Sequence, residues 1–111
     1  MRHIVQFQFN SDNQTSGDSD MAARVEEIIR ARLARIEDRL TRVEVHVGDV
    51  NGPRGGGGDK RCAVEVRPAG MAPISASDQA ASIEAAVAGA ADKVLTAFDR
   101  QVGKLTDRKS H

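Results

Sequence analysis

The feature that most constrains this chain is a pair of segments in which every second residue is apolar. Val43, Val45 and Val47 alternate with Glu44, His46 and Gly48, and Cys62, Val64 and Val66 alternate with Ala63, Glu65 and Arg67. A strand turns successive side chains to opposite faces, so each segment has one face for water and one that another layer must cover. His3 to Phe9 follows the same rule, with Val5, Phe7 and Phe9 opposite Gln6 and Gln8, and reads as a first strand. Between the two valine strands lies Asn51-Gly52-Pro53-Arg54-Gly55-Gly56-Gly57-Gly58-Asp59. Its glycines restrict the backbone little and its proline opposes regular pairing, so 51–59 reads as a long, mobile hairpin loop. Pro68-Ala69-Gly70 makes the next turn, and Met71 to Ala76 a short fourth strand with Ile74 inward and Pro73 favouring a sheet edge.

The cover is supplied by two amphipathic helices. Met21, Val25, Ile29, Leu33, Ile36 and Leu40 recur at steps of three and four, which predicts a helix over about 21–40 capped by Ser19 or Asp20. Ile83, Val87, Ala90, Val94, Leu95, Phe98, Val102 and Leu105 form a second stripe, capped by Ser77 or Asp78 and running nearly to a short tail at 109–111. The alanines of its first half, with Gly89, let its backbone lie close to a partner layer. One-sided strands require both helices on the same face of one sheet. The expected fold is α+β, a two-layer β-α-β-β-β-α sandwich with two helices on a four-stranded sheet.

The 111 residues suit one domain, 1–111, with a single core. Hydrophobic residues are 40% and charged residues 29%, the balance of a globular chain. Aromatic residues are only 3%, which argues against a platform for stacking bare bases. The single cysteine, Cys62, cannot form an internal disulfide, the N-terminus lacks a signal-like apolar run, and no stretch is apolar enough to span a membrane. A cytoplasmic protein is expected.

Sixteen basic and sixteen acidic residues cancel, so only the placement of charge can speak for a nucleic-acid partner. Turning the first helix by about 100° per residue puts Arg24, Arg32, Arg35, Arg39 and Arg42 in one stripe, apart from Glu26, Glu27, Glu37 and Asp38. On the last helix Lys93, Arg100, Lys104 and Arg108 align, with Asp92 and Asp99 across the apolar stripe. Two parallel basic stripes would repeat phosphate contacts on a folded RNA. Charge runs on helices are ordinarily solvated faces. However, Arg35 with Arg39, Arg100 with Lys104, and Lys104 with Arg108 are like-charge neighbours that cost helix stability.

A more specific pointer is the segment Val43-Glu44-Val45-His46-Val47, Asn51-Gly52-Pro53-Arg54-Gly55-Gly56 and Asp59-Lys60-Arg61-Cys62-Ala63-Val64-Glu65-Val66-Arg67-Pro68-Ala69-Gly70. It resembles a short branch of the ribosome hibernation-promoting factor and ribosome-associated inhibitor family, and the resemblance extends over about 21–108. It implies binding to ribosomal RNA of the small ribosomal subunit near the decoding channel, where such proteins block messenger and transfer RNA. Carried onto this sequence, the RNA-binding residues are Arg32, Arg35 and Arg39, then Lys93, Arg100, Lys104 and Arg108, with Lys60 and Arg61 as additions. Asp92, Asp99 and Asp107 depart from the strongly basic final helix of the family. The chain lacks the long tail and the dimerisation domain of longer members, so ribosome pairing through such a domain is not expected. The alternative is a protein-interaction or RNA-chaperone-like module of the same fold without ribosome binding.

Other features read as structural. The glycines after Arg54 lack the strand-to-helix setting and Lys-Ser/Thr ending of a P-loop. His3, His46 and Cys62 show no paired ligand spacing, so neither metal nor cofactor is expected. Cys62 shares a face with Val64 and Val66 and reads as a buried thiol. His46 should face solvent beside Glu44 and opposite Glu65 or Arg67. Nothing assembles a catalytic set, and no enzyme activity is expected.

Overall fold

The computed structural model describes residues 5–11, 18–49 and 60–109, without the side chains of 18–19 and 105–109. The elements are β1 (Gln6–Ser11), α1 (Asp18–Arg32), a single 3-10 turn (Glu37–Arg39), β2 (Leu40–Asp49), β3 (Lys60–Pro68), β4 (Ile74–Ala80) and α2 (Ile83–Lys109). The sheet runs β1-β2-β3-β4, with β1 parallel to β2 and the other neighbours antiparallel. This is the α+β arrangement expected from one-sided strands. The hairpin reading of 51–59, like His3 and Arg54, lies outside the described residues.

The alternating valines are the floor of the core. Val43, Val45 and Val47 of β2 and Cys62, Val64 and Val66 of β3 are all buried, while Glu44, His46 and Arg67 turn toward water. Val25 and Ile29 of α1 and Ala86, Val87, Ala90, Ala91, Val94 and Phe98 of α2 close the layer from above. No polar or charged residue is buried among the described residues, so the core is held by apolar burial alone.

Several element ends differ from the sequence reading. The first helix stops at Arg32 instead of running to Leu40. Leu33 still bonds to the Ile29 carbonyl, but Ile36, Glu37 and Arg39 bond three residues back, to Leu33, Ala34 and Ile36. The chain therefore tightens and then extends into β2 while Leu33, Ile36 and Leu40 all stay buried. Steps of three and four suit this path as well as they suit a helix. Arg35 thus sits on a turn, Arg39 in the 3-10 turn and Arg42 on β2. At the other end α1 begins at Asp18, so Ser19 and Asp20 lie within its first turn.

The fourth strand is Ile74–Ala80, not Met71 to Ala76, because β3 offers partners as far as Lys60, opposite Ala80. Ser77 and Asp78 are therefore strand residues. The α2 cap is Ser82, whose Oγ accepts the Ala85 N–H at 3.1 Å. The turn before β4 closes as expected: Met71 N–H reaches the Pro68 carbonyl at 3.3 Å, and Gly70 takes φ 76°.

Candidate nucleic-acid interface

The two helices run side by side, and their seam carries paired charge. Arg24 lies 3.7 Å from Glu84, and Arg32 donates to both carboxylate oxygens of Asp92 at 2.9 and 3.1 Å. Both pairs link residues sixty positions apart, so an eight-residue step climbs the same distance of about 12 Å on each helix. Beyond Arg32 the chain leaves the helix, and Arg35 on the turn reaches Asp99 with two bonds, 3.1 and 2.9 Å. Asp99 accepts from two nitrogens of one guanidinium, the fork geometry that arginine also offers to phosphate. This hydrogen bonding raises Arg35 above the ordinary arginine value and holds Asp99 below the usual carboxylate range. Two of the acids that separate this sequence from a strongly basic final helix, Asp92 and Asp99, are thus the partners of Arg32 and Arg35; the Asp107 side chain lies outside the described residues.

The other flank of α2 faces β4. Lys93 Nζ donates to the Ser77 carbonyl and to Asp78 Oδ1, both at 3.3 Å. Arg100 and Lys104 follow at seven and eleven residues, within about 20° of Lys93 around the helix. Both are exposed and have no partner among the described residues. Arg108 continues this spacing in α2, but its side chain lies outside the described residues.

Arg39 is also exposed; its carbonyl accepts the Ala69 N–H, while its guanidinium has no partner among the described residues. It faces an open cleft of 270 Å³ shared with Arg35, Ile36, Phe98, Asp99 and Val102. The structure therefore brings Arg35 and Arg39 together at the end of the seam. It does not bring Lys60 and Arg61 there. Lys60 pairs with Asp49 at 2.7 Å across the β2–β3 ladder, and Arg61, on the outer sheet face, donates weakly to Ser77 Oγ at 3.4 Å.

The remaining candidates behave as structural residues. Cys62 is fully buried, and desolvation pushes its thiol up to about 12, with Arg61 opposing and Asp78 adding. A group that stays protonated is a poor nucleophile. His46 is exposed but stands opposite Ala63, not Glu65 or Arg67; the residues facing those are Glu44 and Arg42. Among the described residues, no group of His, Cys, Asp and Glu could hold a metal ion, and no helix is long and apolar enough to cross a membrane.

The family model for sigma 54 modulation protein / S30EA ribosomal protein matches residues 13–110. The chain belongs to this family. S30EA-family proteins are ribosome-associated factors. The fold is shared with the N-terminal domain of Protein Y from Thermus thermophilus, at 22% identity and a TM-score of 0.65, over 87% of this chain and 98% of that one. It is shared too with a ribosomal subunit interface protein from Coxiella burnetii, at 15% identity and a TM-score of 0.66, over 89% and 99%. A comparison with curated proteins finds no match.

Proposed function

We propose that this S30EA-family chain is a cytoplasmic hibernation factor that binds ribosomal RNA of the small subunit near the decoding channel. There it occupies the space of messenger and transfer RNA and holds the ribosome inactive by occlusion, without catalysis. The observation that carries this reading is that Arg39 at the end of the seam and Arg100 and Lys104 on α2 are exposed with no counter-charge among the described residues; Arg61 shares this property but lies on the outer sheet face. In a chain of zero net charge such groups are the ones a phosphate backbone can use without competition. Lys93 lies on the same stripe and Arg108 follows its spacing.

Co-sedimentation with purified small subunits tests it. Wild type should pellet with subunits at low salt and be released as salt rises, as phosphate contacts require. Replacing Arg39, Arg100 and Lys104 together by Glu should weaken association at least about tenfold. Absence of low-salt association, or association unchanged in the triple variant, would sink the proposal.

A second reading, an interaction module of the same fold that does not bind ribosomes, draws on the neutralisation of Arg32 by Asp92 and of Arg35 by Asp99. Partners retained from nuclease-treated lysate would favour it. Their loss after nuclease would count against it.

A further inference from the structure

Both oxygens of Asp99 are engaged by Arg35, so the guanidinium edge that would meet a phosphate is already filled. Across the same cleft Arg39 presents a second guanidinium with no partner among the described residues, above a floor of Ile36, Phe98 and Val102. The cleft thus holds two cations and one anion, and the exposed pair between Arg35 and Asp99 is the part that can open. Asp99 is half exposed and reaches Arg35 through a short side chain that can rotate away into water. An exposed pair of this kind is weak, because water replaces either partner readily.

We propose that this cleft is a phosphodiester site for an RNA backbone, occupied in the free protein by the Asp99 carboxylate. The proposal rests on the RNA reading above and adds the residue that regulates it. A backbone phosphate pairs first with Arg39, then displaces Asp99 from Arg35, so that two arginines grip it where one was free before. Asp99 makes capture conditional. A ligand that cannot carry a phosphate to the end of the seam meets one available cation, and a backbone that can meets two. Asp92 holds Arg32 in the same way seven residues earlier, on the same flank of α2.

The experiment is a salt titration of binding to a labelled, mixed-sequence RNA duplex of about 20 base pairs, a length chosen to exceed the ~16 spanned by common duplex-binding domains. The proteins are wild type, Asp99→Asn, Arg35→Gln and the double variant. Asp99→Asn should bind about tenfold more tightly, with the slope of log affinity against log salt steeper by about one, because the Arg35–phosphate contact then forms without an Arg35–carboxylate pair being given up for it. Arg35→Gln should change wild type by less than about twofold, yet abolish the gain when combined with Asp99→Asn. Glu27→Gln, at an exposed position on α1, controls for net charge and should reproduce none of this coupling.

An unchanged or weaker Asp99→Asn variant overturns the proposal. So does an Arg35→Gln loss as large in wild type as in the Asp99→Asn background, since displacing Asp99 would then cost the phosphate nothing. Failure of both wild type and Asp99→Asn to bind the duplex overturns it as well. The same slope change with inorganic phosphate as sole competitor, at equal ionic strength, would reassign the cleft to free anions. The ribosome reading is judged separately by co-sedimentation: coupling on duplex RNA without subunit binding refutes that reading alone, and subunit binding without coupling refutes the gate alone.

Discussion

The two flanks of α2 use the same chemistry, an aspartate against a cation, to different ends. Toward α1, Asp92 and Asp99 meet Arg32 and Arg35 at the rim of the seam, each acid side chain 54% exposed. Toward β4, Asp78 rises from the inner side of the edge strand, 31% exposed, into the space left by Gly89. A Cβ built on Gly89 would lie 1.8 Å from Asp78 Oδ2 and 2.8 Å from its Cγ. The first flank is an electrostatic clasp that water or phosphate can replace. The second is a steric fit in which the carboxylate is part of the packing. Burial, more than charge, decides which aspartate is structural and which is exchangeable.

The largest effect expected on the β4 side concerns Cys62, which stands opposite Asp78 in the ladder. With its thiol pushed up to about 12, the thiolate at pH 8 is roughly a thousandfold scarcer than in an unfolded chain. A thiol reagent at pH 8 should therefore label native protein at least about a thousandfold more slowly than protein in denaturant. Labelling at comparable rates would show that β4 opens readily and that the contrast between the flanks is wrong.

Next in size is Gly89→Ala. Overpacking against Asp78 costs roughly 1–3 kcal/mol, and the gain in helix propensity returns about 1. Denaturant unfolding should show a net loss of up to about 2 kcal/mol. Asp78→Ala in the same chain removes the oxygens and the Cγ, so the double variant should recover most of the loss. If Gly89→Ala is stabilising alone, Asp78 has a second rotamer at no cost and the fit is not specific.

Much of this architecture was legible because burial imposes a period. Val43 to Val47 and Cys62 to Val66 could take only one orientation on a covered sheet, and each residue expected inside is inside. The end of α1 was not legible, because Leu33, Ile36 and Leu40 keep helical spacing through a 3-10 turn into a strand with no glycine or proline to mark the change. The β4–α2 boundary was misplaced because Ser77 and Asp78, the two expected caps, carry the same capping chemistry as Ser82, which the sequence reading passed over. Ser77, Asp78 and Ser82 differ only in whether β3 still has a partner to offer. The sorting of charge around each helix was readable from one helix at a time. The pairing of Arg32 with Asp92 was not, since it depends on how far one helix slides along the other.

The smallest effect is the one that bears most directly on the exchangeable flank. Hydrogen bonding from Arg35 lowers Asp99 in the folded chain, whereas in the unfolded chain it should titrate near 3.9. Its stabilising contribution is thus fully present above the unfolded value and is lost as pH falls through the lowered folded value. Between neutrality and pH 5 the contribution should be flat. Carboxyl-carbon NMR should place the Asp99 midpoint below 3.9, and Arg35→Gln should return it toward that value while leaving the Cys62 labelling rate unchanged. A midpoint near 3.9 in wild type would mean that the fork is open in solution. Asp99 would then have nothing to withhold from a phosphate, and the two flanks would differ in packing alone.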